Sequence, residues 1–351
     1  MAPGGARVAV VGYGLGGSAF HAPLVSVTPG LSLDVIVTAN PERQAAARAR
    51  YPDVSVLATV EDLLARAGDL DLAVVTVPNA AHVEVALANL GAGLHVVVDK
   101  PVAPTAGEVL ELAGYAEGVG RRLIPYHNRR WDGDFRTVRA LIGQGALGEV
   151  WRVESRFERW APSPGRPGTW KQDQTLPAGG VLYDLGVHLI DQALALFGSP
   201  ASVYAEVAGR RGGVEDDAFV ALGYESGPTV HLWASTGAAQ LGPRFRVLGS
   251  ERAYVKHGLD VQEAALRTGR TPAGEGWGEE EPSAWGRLGT VDGAEPFPTL
   301  PGAYPDFYAA VAACLLEGGE PPVAAADAAL GIEIVEAAHR SAREGVVVAI
   351  G

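Results

Sequence analysis

Residues Arg7–His21 read RVAVVGYGLGGSAFH. The stretch opens on an apolar run that suits a buried strand, passes a group of glycines and ends on residues that start a helix. Gly12, Gly14 and Gly17 stand in the spacing G-x-G-x-x-G, with Leu15 between the second and the third. By itself the spacing specifies only a tight turn. Between a strand and a helix it specifies more. Gly12 permits the turn, Gly14 lets the backbone approach a ligand, and Gly17 lets the helix pack closely on the sheet. The helix N-terminus then faces negative charge, and the ligand that suits this geometry is the pyrophosphate of a dinucleotide.

Outward from this turn the same alternation continues. LSLDVIVTAN, LDLAVVTVP, LHVVVDKP and RLIPYHN read as strands, while PERQAAARARY, LATVEDLLARAG, NAAHVEVALANLGAG and TAGEVLELAGYAEGVG read as helices or contain them. Apolar strands separated by helices predict a doubly wound parallel sheet covered on both faces, here an α/β domain over residues 5–127. From residue 128 the pattern changes. EVWRVESRFERW, ASVYAEVAGRR, DAFVALGYES and PTVHLWAST alternate polar and apolar residues, which suits antiparallel strands with two unlike faces. An α+β domain on a large, mostly antiparallel open sheet is predicted over residues 128–351, with Thr271 to Thr299 as a long irregular excursion.

Three places carry chemistry. At the end of the second strand a carboxylate would hold the 2′-hydroxyl of NAD. Thr38 stands there instead, Asp34 lies mid-strand, and Arg43 follows shortly after. NADP(H) is therefore expected, with NAD(H) the alternative and a solvated helix arginine the plain reading of Arg43. The second place is Lys100, which ends the strand LHVVVDKP in a chain with only 3 lysines among 28 basic residues. A lysine at that end can lose a proton near neutral pH, which arginine cannot, and can hold an alcohol or carbonyl oxygen. The third is VLYDLGVHLIDQALALFG, where Asp184 and His188 are four apart and share a helix face. A carboxylate beside an imidazole fixes its tautomer and suits it to exchange a proton with a hydroxyl. Asp191, three residues further on, is read as support.

Composition narrows the classes. A net charge of −13 argues against binding nucleic acid or anionic membranes. The single Cys314 lies in an amphipathic helical pattern and reads as core filler, and no Cys/His spacing points to a metal. No signal pattern or membrane-length apolar run is present, so a cytoplasmic protein is expected.

Taken in order, GYGLGGSAFHAPL, DKP, YHNRRWDGDF, TWK, the D-x-G-x-H helix and GAYPDFY resemble the glucose–fructose oxidoreductase and inositol dehydrogenase (Gfo/Idh/MocA) family. HNRRWDGDF and DLGVHLIDQAL are most similar to its NADP-dependent scyllo-inositol dehydrogenase branch. The resemblance implies a Rossmann domain followed by an α+β domain whose sheet forms a homodimer or homotetramer interface. It implies that Lys100, Asp184 and His188 are the catalytic group and that Thr76, Pro78, Asn79, His82, Asp99, Asn128, Trp170 and Lys171 lie along the cofactor. Asp99 and Lys171 depart from the Glu and Arg usual at those positions. A hydride transfer to or from a secondary alcohol of a cyclic polyol or sugar is expected, with Arg130 and Tyr304 among the substrate contacts. The competing expectation is a nucleotide- or sugar-binding regulator of the same fold without chemistry.

Overall fold

The computed structural model describes residues 5–161, 178–211 and 214–351. The chain forms two compact units, one of residues 1–128, 262–277 and 303–329 and the other of residues 129–261, 278–302 and 330–351. The expected boundary near residue 128 thus marks only the first crossing, because two later segments return to the first unit.

In the first unit β1 (Ala6–Val11), β2 (Leu31–Val37), β3 (Ser55–Leu57), β4 (Leu72–Val75), β5 (His95–Asp99) and β6 (Leu123–Tyr126) form one sheet in the order β3-β2-β1-β4-β5-β6. Every pairing in it is parallel. The connecting helices are α1 (Ala22–Val27), α2 (Pro41–Arg50), α3 (Val60–Leu64), α4 (His82–Gly91) and α5 (Ala106–Gly118). Their starts are encoded locally. Asn40 caps α2 by accepting from the Arg43 N–H, and Thr59 with Asp62 and Thr105 with Glu108 form reciprocal capping boxes on α3 and α5. Ala9, Val11, Val35, Val37, Leu63, Ala73 and Leu94 make one apolar cluster on the sheet. Strand order reverses between β1 and β4, and ligands of such sheets bind at the carboxyl ends of the strands at that point.

The returning segments carry α8 (Gln262–Arg267) and α9 (Tyr304–Glu317). One buried side chain ties them together: the Gln262 carbonyl oxygen accepts from Trp277 Nε1 at 3.0 Å and from the Tyr304 N–H at 2.7 Å. Cys314 is buried in α9, and burial pushes its thiol up, as befits packing rather than reaction.

The second unit begins with α6 (Gly133–Gly143) and β7 (Val150–Glu158) and continues through α7 (Val187–Phe197). Then follow β8 (Ser202–Ala208), β9 (Asp217–Gly223), β10 (Thr229–Ser235), β11 (Phe245–Gly249) and β12 (Ala253–Lys256). With β13 (Gly286–Thr290), β14 (Gly293–Phe297) and β15 (Val348–Ala349) the strands form a nine-stranded sheet in the order β14-β13-β12-β11-β7-β10-β9-β8-β15. Among the described residues only β7 and β10 pair in parallel there. Two of these strands, β13 and β14, form a hairpin inside the stretch expected to be irregular throughout. Its residues, GRLGT and GAEPF, lack the apolar alternation that marks a strand. The pairing is stabilised by its neighbours: Gly286 leaves room for the Tyr254 ring, into which any Cβ would run. Lys256, buried at the end of β12, donates to Glu280, to the His257 carbonyl and to the Ala284 carbonyl, so all three ammonium hydrogens find acceptors. After α10 (Ala325–Glu344) the short β15 closes the far edge beside β8.

Alternation sorts the sheet's faces. Val153, Phe157, Val220, Leu222, Leu232, Phe245 and Val247 are buried. The other face presents Arg152, Arg156, Phe219, His231 and Trp233, with the Arg156 guanidinium 3.9 Å from the centre of the Trp233 ring. Within the core Arg244 is 2 % exposed and pairs with the fully enclosed Asp134 at 3.3 Å, while donating to Ser155 Oγ and to the Gln192 carbonyl oxygen. Removing the guanidinium would strand a buried carboxylate. Arg244→Met should therefore cost about 3–5 kcal/mol in urea unfolding; a loss under about 1 kcal/mol would show that the pair contributes nothing net.

Candidate active site

Each glycine of the turn has a distinct steric reason. Gly12 has φ +103, and a Cβ there would lie 2.5 Å from the Thr76 carbonyl oxygen. A Cβ on Gly17 would strike the Gly12 carbonyl. Gly14 is the opposite case: a Cβ would meet nothing nearer than Arg43 Nη1 at 3.7 Å, so the backbone is open on that side. An open backbone at a sheet's switch point fits a dinucleotide pyrophosphate. Gly16 is a fourth requirement that the spacing rule does not contain, because a Cβ there would collide with Thr76 Oγ1 and lie 2.9 Å from Asp99 Oδ2. After the turn, Gly16–His21 winds as a π-turn that leads into α1. Such widened turns recur at functional sites. Leu15 is half exposed at its start.

Thr38 is buried just beyond β2, and its carbonyl accepts from Gln44 Nε2 at 2.8 Å. Asp34 sits within β2 and accepts from the Ser32 hydroxyl, so no carboxylate ends that strand. Arg43 starts from the capped first turn of α2 and reaches back beside Gly14.

The ends of β4 and β5 lie against the turn. Thr76 Oγ1 donates to Asp99 Oδ2 at 3.3 Å, and Asp99 Oδ1 accepts from the Lys100 N–H at 2.8 Å. The Lys100–Pro101 peptide is cis. His82, at the start of α4 after Pro78 and the buried Asn79, spans two loop ends: Nδ1 lies 2.8 Å from the Pro101 carbonyl and Nε2 2.9 Å from that of Val77. Burial lowers the His82 pKa, against the pull of Asp99 and the two carbonyls; Lys100 adds to the lowering. Burial alone would push the Asp99 carboxyl up. His21, Lys100 and His82 outweigh it and bring it down to about 2.

In the second unit, Asp184 lies in a π-turn, Leu182–Gly186, and His188 in the first turn of α7 directly after it. The four-residue spacing thus crosses a widened turn rather than a regular helix. The Leu182 N–H is held by Glu215 at 2.9 Å, which anchors the segment's start. His188 is 6 % exposed, and its ring stacks on Phe157 with centroids 6.0 Å apart. Asp191, one turn on, receives Arg130 through Nε at 3.0 Å and Nη2 at 2.7 Å. Asp191 therefore supports the helix, and Arg130, expected at the substrate, spends this fork on it. Asn128 is buried at the head of a short 3-10 turn, Asn128–Trp131. Tyr304, expected among the substrate contacts, is fully buried, with its ring 6.4 Å from that of Phe20. Trp170 and Lys171 lie outside the described residues.

Residues 6–127 match the model of the oxidoreductase family with an NAD-binding Rossmann fold, and residues 135–255 match the GFO/IDH/MocA C-terminal domain. The chain belongs to the Gfo/Idh/MocA oxidoreductase family. Among its members, scyllo-inositol 2-dehydrogenase (NADP(+)) IolW of Bacillus subtilis is 35 % identical over 96 % of this chain and 94 % of its own. The uncharacterized oxidoreductase YdgJ of Escherichia coli is 39 % identical over 96 % of both. The solved structure of Bacillus subtilis YvaA superposes with a TM-score of 0.92 at 34 % identity, covering 98 % of each chain. Membership establishes an NAD(P)-binding oxidoreductase. Among the described residues no group of three or more His, Cys, Asp or Glu could hold a metal, and no helix is long and apolar enough to cross a membrane.

The lowered Asp99 pKa has a pH signature. Its folded value, about 2, lies below the ordinary 3.8, so the stabilisation is complete above about pH 4 and fades as pH falls towards 2. Asp99→Asn should cost about 2 kcal/mol of unfolding free energy at pH 7. The gap to wild type should then narrow between about pH 4 and pH 2; a gap constant with pH would show that the carboxylate's charge is not what stabilises the fold.

Proposed function

We propose that the protein is an NADP(H)-dependent oxidoreductase acting on a secondary alcohol or ketone of a cyclic polyol or sugar, with a scyllo-inositol-type substrate favoured. The observation that carries the reading is the close seating of Gly16, Thr76 and Asp99, the residue directly before Lys100. The end-to-end similarity to a relative named for NADP and scyllo-inositol supports the cofactor and substrate class. Arg43 beside Gly14, with Thr38 in place of an acid, supports the extra phosphate of NADP.

The nicotinamide, when bound, supplies or accepts the hydride. Lys100 holds the substrate oxygen through its amine. His188 takes the hydroxyl proton during oxidation and returns it during reduction, and Asp184 orients the imidazole. Stacking on Phe157 keeps the imidazole plane fixed while its charge changes. The amine and the imidazole each bear on proton transfer, so the pH dependence of turnover belongs to the group rather than to one residue.

A panel of cyclic polyols and sugars with each cofactor, followed at the nicotinamide absorbance, tests the reading. Lys100→Met and His188→Ala should each lower kcat at least ~10²-fold while cofactor affinity changes little. Loss of cofactor binding instead would make both residues structural, and no turnover across the panel would favour a binding protein. Arg43→Ala should weaken NADP+ by about 10-fold, an interaction of roughly 1.4 kcal/mol, and leave NAD+ nearly unaffected. Equal losses for the two cofactors would remove Arg43 from 2′-phosphate recognition.

A further inference from the structure

Behind the strand end that delivers Lys100 lies a chain of polar groups to which the proposed chemistry gives no role. His21, fully buried, is the last residue of the π-turn after the glycines. Its Nδ1 lies 2.6 Å from the hydroxyl of Tyr308, a fully buried residue 287 positions later on α9. Its Nε2 lies 3.5 Å from Asp99 Oδ2, long for a hydrogen bond, so that contact is electrostatic. The Tyr126 ring packs against the imidazole with centroids 4.2 Å apart, and Phe307 packs edge-on against Tyr126 at 4.8 Å.

The proton positions follow from the partners. An ionised Asp99 can only accept, so the imidazole presents Nε2–H to it. In the tautomer that turns Nε2–H to Asp99, Nδ1 is an acceptor, and the Tyr308 O–H donates to it. Burial, reinforced by Tyr126 and the Asp99 charge, raises the Tyr308 pKa well above its ordinary value, so the donor keeps its hydrogen. The groups facing Asp99 are His21 with Tyr308 behind it, Thr76 from the end of β4, His82 from α4 and Lys100 from its own strand end.

We propose that Tyr308 and His21 are positioning residues for Lys100: they hold the Asp99 carboxylate in place, and through its bond to the Lys100 N–H and its charge they set how the amine is aimed and how tightly it keeps its proton. The inference rests on the assignment of Lys100 to the reacting oxygen, but its test does not need a substrate. With three lysines in the chain, reductive methylation with ¹³C-formaldehyde gives few dimethyl-lysine signals, and Lys100→Arg assigns the one that matters.

Its pH midpoint is measured by NMR in the wild type and in Asp99→Asn, His21→Gln, Tyr308→Phe and Phe307→Leu. Asp99→Asn should lower the midpoint by about one unit. His21→Gln and Tyr308→Phe should move it in the same direction by about half a unit, and Phe307→Leu, which alters packing and keeps the hydroxyl, should leave it in place. Unchanged midpoints in both His21→Gln and Tyr308→Phe overturn the proposal, as does an equal shift in Phe307→Leu. Tyr308→Phe removes one oxygen and keeps the ring, so it decides the matter if His21→Gln does not fold. A protein inactive on every polyol would sink the proposed function yet leave this result standing. Where turnover is found, Tyr308→Phe should lower kcat about 10-fold with the KM for cofactor within about twofold.

Discussion

At three positions of the glycine turn there is no room for a single methyl group. The Thr76 carbonyl crowds Gly12, Thr76 Oγ1 and Asp99 crowd Gly16, and the Gly12 carbonyl crowds Gly17. This closeness brings the ends of β1, β4 and β5 together, so that one carboxylate can meet Thr76, His21 and the Lys100 N–H at once. It also leaves Gly14 as the open side of the turn. The position of the β5 end and the open side of the turn therefore follow from the same packing constraint, since atoms this close leave the strand end few alternative positions.

The second unit secures α7 by different means. There the supports are buried charges rather than close backbone approach. Arg130 grips Asp191, Arg129 pairs with Asp132, Arg244 pairs with Asp134, and Gln192 joins Arg129 to Arg244 through its amide. The Phe157 ring lies among these groups, with the Arg129 guanidinium 4.5 Å from its centre and the His188 ring stacked against it. Burial and the neighbouring Asp260 and Asp134 charges keep the Asp132 pKa well above the usual range; Arg129 and Arg244 oppose the shift without cancelling it. Such a network fixes α7 by geometry, because each arginine fork accepts its partner in few orientations.

Local rules carried the sequence reading wherever local physics decides. The valine strands, the polar–apolar alternation and the strand-glycine-helix order are short-range signals, and they led to the parallel sheet and the mostly antiparallel second sheet, while the family was read from the resemblance of several motifs in order. Three features depend on contacts distant in sequence and had no local sign. Gly16 is required by Thr76 and Asp99, some 60 to 80 residues on. The hairpin of β13 and β14 is weak in its own sequence and forms against β12. Tyr304 has no local sign of burial in GAYPDFY, yet Gln262 and Phe20 pack against it. Of the three lysines, Lys256 is explained by enclosure among three acceptors, a role that composition alone could not separate from chemistry.

The first unit takes part of its fabric from residues 262–277 and 303–329. On the ribosome its sheet strands emerge early, but the tyrosine that satisfies His21 arrives only after the second unit's main strands have been made. Until then the buried side chains that α9 supplies, Phe307, Tyr308 and Val311, are missing from the first unit, and exposed apolar surface of that kind favours misassembly. Neither the N-terminal half alone nor a chain stopped short of α9 carries the whole of the first unit's core.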